Sequence, residues 1–132
     1  MRLTLKLPKN LAVNELLSRA NANGLPLALY RSSEVGTDGQ NLQHELSFVG
    51  GGAEYFQKHT PGEQVDILQR VVSEAAGREL RVNQASWLIA PANTVEASTY
   101  PDQSIYLLDA VPQFQTEISV EFDAAYDRFG SL

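Results

Sequence analysis

The stretch TPGEQVDILQRVVSEAAG, Thr60 to Gly77, constrains this chain more than any other. Thr60 stands ahead of a proline suited to the first helical position, and Glu63 follows three residues later to complete a reciprocal capping box. Val65, Leu68, Val72 and Ala75 recur at helical spacing as a core stripe, and Gly77 suits a left-handed stop. The spacing predicts a helix over 61–76. Asp66 with Arg70, and Arg70 with Glu74, are placed to pair across its wet face. Ile67 lies off the stripe, where it either widens the buried face or touches a partner. Such a helix does not persist alone in water, so the rest of the chain must supply a sheet for it.

The flanking sequence reads as that sheet. Leu3, Leu5 and Leu7 alternate with Arg2, Thr4 and Lys6, a half-buried strand ended by Pro8. A first helix follows, opened by Asn10 and stopped by Gly24. LPLALYR is more continuously apolar and is expected to lie centrally, covered on both faces. Asp38-Gly39 marks a hairpin turn, and the return strand puts Leu42, His44, Leu46 and Phe48 on one face. Gly50-Gly51-Gly52 then turns the chain toward the second helix. Beyond Gly77, Leu80, Val82, Trp87 and Ile89 suggest one bent strand or two short ones. Pro91 to Gln103 reads as a long connection and a candidate recognition loop. SIYLLDAV is a further apolar strand. In the last strand Phe114, Thr116, Ile118, Val120 and Phe122 alternate with an acidic wet face. The order β-α-β-β-α-β-β-β gives a single α+β domain over residues 1–132. Its two helices pack on one face of a mixed, largely antiparallel sheet.

Charge and composition narrow the function. The net charge is −6, and it is unevenly spread. Residues 1–33 carry Arg2, Lys6, Lys9, Arg19 and Arg31 against Glu15 alone. Residues 96–132 carry seven acids against Arg128. An acidic last third argues against nucleic-acid binding, which needs clustered lysine and arginine. With no cysteine in the chain, disulfides, thiolate chemistry and iron–sulfur clusters are excluded. The N-terminus lacks a signal-peptide core, and no apolar run is long enough to span a membrane, so a cytoplasmic protein without membrane contact is expected.

The catalytic motifs tried against the sequence are weak. The glycine triplet follows a strand as a phosphate cradle would. However, Tyr55 occupies the position of a required glycine, and no Gly-Lys-Ser/Thr follows. His44 and His59 match no metal-ligand spacing, so neither a metal nor another cofactor is expected. The leading expectation is a small acidic protein-binding module without catalytic activity: an accessory, chaperone-like, immunity or inhibitor protein. Its candidate contact residues are Ile67, Glu96, Tyr100, Asp102, Glu117, Glu121, Asp123 and Asp127. Self-association through the last strand is one version of this reading. A second reading is a small-molecule site or enzyme pocket near the Gly50–Gly52 turn, formed by His44, Gly51, His59 and Trp87. A third is an acidic mimic of nucleic acid that blocks a DNA- or RNA-binding protein.

Overall fold

The computed structural model of the chain describes residues 1–35, 41–89, 93–98 and 115–123. The elements run β1 (Arg2–Pro8), α1 (Val13–Ala22), β2 (Leu27–Val35), β3 (Asn41–Phe48), α2 (Gly52–Gln57), α3 (Pro61–Ala76), β4 (Arg81–Ile89), β5 (Asn93–Ser98) and β6 (Gln115–Asp123). The fold is two-layer α+β, as the sequence predicts, with a third short helix, α2, at GAEYFQ. The six-stranded sheet has the order β2-β3-β1-β6-β4-β5. β1 pairs with β6 in parallel, and every other described pairing is antiparallel. Strands β1 and β2 therefore run the same way with β3 inserted between them. The crossover through α1 is a split β-α-β unit and not an adjacent parallel pair.

One core joins the layers. Leu3, Leu5 and Leu7 of β1 are buried beside Leu46 of β3 and Ile118, Val120 and Phe122 of β6. Register places Leu3 opposite both Leu46 and Ile118, and Leu5 opposite both His44 and Val120. Against this surface α1 lays Leu16 and Ala20, α2 lays Phe56, and α3 lays Val65, Leu68, Val71 and Val72. The α3 boundaries are those the sequence predicts: Glu63 N–H donates to Thr60 Oγ1 at 3.2 Å, Thr60 N–H donates to Glu63 Oε1 at 2.8 Å, and Gly77 has φ 72°. Arg70 has no ion pair with Asp66 or Glu74 among the described residues. Glu74 instead accepts from Asn23 Nδ2 at 3.2 Å, tying α3 to the end of α1. α1 itself starts later than expected, with Ala12 at its cap position and no side-chain cap, so Asn10 does not open it.

Other expectations are corrected by strand order. LPLALYR is not central, because β2 is an edge strand with Leu29 39% and Tyr30 68% exposed. Leu25 at the start of the segment is buried, while Leu29 and Tyr30 are exposed on the edge strand. Pro91–Gln103 is not an unstructured connection, since β5 lies within it and pairs with β4 from Gln84↔Ser98 to Ile89↔Asn93. β4 is one strand: Asn83 is an extra residue between the pairs Val82↔Phe122 and Gln84↔Glu121, so Val82 and Ala85 both face the core. β6 carries the expected core set at Ile118, Val120 and Phe122. Thr116 bulges between Gln115 and Glu117, which turns Gln115 inward and leaves Thr116 exposed. The Asp38-Gly39 turn, the expected strand over 104–111 and Phe114 lie outside the described residues. The hairpin strands themselves pair down to Val35↔Asn41.

The glycine triplet is a steric device. Gly50 has φ 62°, a left-handed conformation that other residues resist. A Cβ at Gly52 would stand 3.1 Å from both Pro26 Cγ and Cδ, so the triplet lets α2 start against the α1–β2 connection. Nothing lies within 4 Å of a Cβ built at Gly50, leaving backbone strain as the whole cost there. Gly50→Ala is expected to destabilise the fold by about 1–2 kcal/mol, and Gly50→Asn by less. Urea midpoints of the two variants check this, and an equal or absent shift would contradict it.

Candidate functional site

The strands alternate, so the buried leucines of β1 impose an outward set on the face opposite the helices. Thr4 and Lys6 of β1, Arg31 of β2, Gln43 and Glu45 of β3, and Ser119 of β6 line a groove of about 400 Å³ there. Gln84 and Ser86 of β4 extend it, with Glu117 and Glu121 of β6. The lining is polar because antiparallel sheets keep one face for water when the other carries the core.

Its charges are mostly cross-strand pairs. Lys6 Nζ lies 2.5 Å from Glu121 Oε1, joining β1 to β6 across their parallel register. Glu45, largely buried, accepts from Arg31 Nε on β2, and Arg2 Nη1 of β1 stands 3.6 Å from its other oxygen. The Arg2 guanidinium also sits 5.9 Å from the centre of the Tyr30 ring. Tyr30 is the extra residue of a bulge in β2, where the register passes from Leu29↔Leu46 to Arg31↔Glu45. The basic first strand and the acidic last strand thus meet, and much of their charge cancels on this face. The groove offers hydroxyl, amide, carboxylate and cationic groups that can hold a polar partner through hydrogen bonds and ion pairs.

The residues singled out from sequence are scattered. Glu117 and Glu121 come together in the groove. Ile67 is 8% exposed and belongs to the core, so it widens the buried face of α3. Glu96 pairs with Ser86 in the β5–β4 ladder, and Asp123 pairs with Arg81 at the end of β6. Tyr100, Asp102 and Asp127 lie outside the described residues. β6 is held between β1 and β4, so self-association by pairing this strand with its copy is corrected: it has no open edge.

His44, Gly51, His59 and Trp87 do not converge. His44 is on β3 and Trp87 on β4, with β1 and β6 between, a separation of about 14 Å at three strand spacings. Trp87 is buried, and its indole N–H donates to Gln64 Oε1 at 3.1 Å. Gln64 Nε2 in turn donates to Gln115 Oε1 at 2.9 Å, a buried amide chain made available by the Thr116 bulge. Gly51 caps α2. His59 lies beyond the other end of α2, its Nδ1–H donating to the Tyr55 carbonyl at 3.1 Å with the two rings edge to face.

Sequence reasoning missed Ser32, Arg31 and Glu45. Ser32 Oγ lies 2.7 Å from His44 Nδ1, across the β2–β3 hairpin where the two are register partners. His44 is 2% exposed and its Nε2 is buried without a partner among the described residues. A serine–imidazole contact of this kind lacks the third group that would orient the ring for nucleophilic work. The signal for Arg31 and Glu45 was their place opposite each other across that hairpin, legible only with the Tyr30 bulge known. No protein-family model, curated protein or solved structure matches the chain.

Burial holds the His44 imidazole below its ordinary pKa. The folded state therefore binds fewer protons than the unfolded one below the unfolded value of about 6.5. Stability is fully present above that pH and falls as the solution is acidified through it. Urea midpoints between pH 7.5 and pH 5 should fall in the native chain and fall less in His44→Gln. Parallel slopes in the two proteins would contradict the assignment.

Proposed function

We propose that the chain is a non-catalytic protein-binding module, of accessory or inhibitor type, whose contact surface is the sheet face opposite the helices. The observation that carries this reading is Tyr30, 68% exposed beside Arg2 at the rim of the groove. Tyrosine and arginine are the residues enriched where partners bind most strongly. Here the ring is set by a backbone bulge and the guanidinium by Glu45, so part of the ordering cost of binding is met before contact. A cytosolic setting fits the absence of cysteine. Among the described residues no helix is long and apolar enough to cross a membrane.

The groove's volume falls in the range of small-molecule sites, but such sites are mostly apolar and this lining is mostly polar and ionic. The acidic-mimic reading is weakened by Lys6, which neutralises Glu121 on this face. Tagged chain and its Tyr30→Ala variant, used as bait in extract of the native cell at low salt, test the proposal. One stoichiometric partner is expected with the native chain. Its affinity should drop at least tenfold with Tyr30→Ala, about 1.4 kcal/mol or more, while the urea midpoint stays unchanged. Equal retention by both baits, or a monomer that takes no stoichiometric partner, would refute it.

A further inference from the structure

We infer that Glu117 receives a lysine or arginine side chain of the partner protein, a conclusion that rests on the sheet face being the docking surface. The groove is lined by two cations, Lys6 and Arg31, and three carboxylates, Glu45, Glu117 and Glu121. Lys6 is taken by Glu121, and Arg31 by Glu45, which Arg2 also approaches. Glu117 is left as the one lining carboxylate with no cation against it among the described residues. Alternation with buried Ile118 sets Glu117 on the groove side, and the bulge at Thr116 turns only Gln115 to the core.

Register sharpens the point. Arg2 is the direct cross-strand partner of Glu117 on β1, yet its guanidinium reaches the other way, to Glu45 and Tyr30. A cation stands one strand from Glu117 and is engaged elsewhere. An ionised carboxylate only accepts hydrogen bonds, so what completes this site is a donor carrying positive charge. Ser119 on the same strand, with Thr4 and Ser86 on its two neighbours, lines the groove and supplies hydroxyls. A free amine would gain little here, because a single exposed ion pair contributes at most about 1 kcal/mol. The cation must be attached to something that also covers Tyr30 and the groove rim. That selects a protein surface over a small metabolite. An acidic group set against Glu117 itself would be disfavoured.

Two measurements on the intact chain test this. In the first, the ¹⁵N-labelled protein is titrated with a blocked five-residue peptide, glycine-serine-lysine-serine-glycine, and with its norleucine counterpart. Shifts at Thr4, Glu117 and Ser119 that grow with peptide concentration without saturating are expected with lysine, as suits a single exposed ion pair. They should be at least threefold weaker with norleucine, with added salt, or in Glu117→Gln. Equal responses to both peptides, or shifts confined to other residues, would overturn the inference. In the second, the partner retained by the native chain is offered to Glu117→Gln and Glu117→Lys. Binding should fall at least fivefold with the first and be lost with the second. Full retention by both variants, with loss in Tyr30→Ala, would sink the role of Glu117 and leave the docking face standing. Full retention in all three would remove the docking face as well.

Discussion

The parallel contact between β1 and β6 is the constraint on which this molecule depends. It joins the first described strand to the last, with Arg2–Lys6 alongside Glu117–Glu121. β1 is also paired with β3, so its leucines are flanked by strands on both sides and covered by helices. Closing that contact requires the long chain between the two strands to be ordered first or with it. Loop closure of this size gives slow, non-local assembly, with the helices and the β2–β3 hairpin able to form earlier. The same pairing decides both faces at once: Leu3 and Leu5 on the core side, Thr4 and Lys6 on the groove side.

Charge follows from that topology. Read along the chain, a basic first third and an acidic last third look like two separate surfaces. Folded, they are interleaved strands, and Lys6 meets Glu121 where a linear reading leaves both unpaired. The surface is therefore closer to electrostatic balance on its groove face than the net charge of −6 implies. Locally paired charges give a docking surface register and selectivity more than raw affinity.

Bulges decide what alternation cannot. Extra residues at Tyr30, Asn83 and Thr116 each shift the side-chain parity of a strand by one. The bulge at Tyr30 lifts an aromatic ring out at an edge. At Asn83 the shift keeps Val82 and Ala85 both in the core. At Thr116 it sends Gln115 inward to meet Gln64, and through it Trp87. A strict period of two misassigns residues on either side of such points. That is why Thr116 was expected in the core.

The sequence by itself determined the elements whose causes are local. The Thr60–Glu63 capping box and Gly77 set the limits of α3, and the Leu3, Leu5, Leu7 alternation set β1. The Ile118, Val120, Phe122 alternation set the larger part of β6. These were legible because caps and short periods depend only on neighbouring residues. Tertiary structure alone decided strand order, and with it that apolar LPLALYR forms an exposed edge and that acidic β6 lies in the middle. It also decided that His44 and Trp87 stand two intervening strands apart and that Glu117 has no cation against it among the described residues. Strand order is set by contacts between residues distant along the chain. A segment's composition records how apolar it is, and not which neighbours cover it.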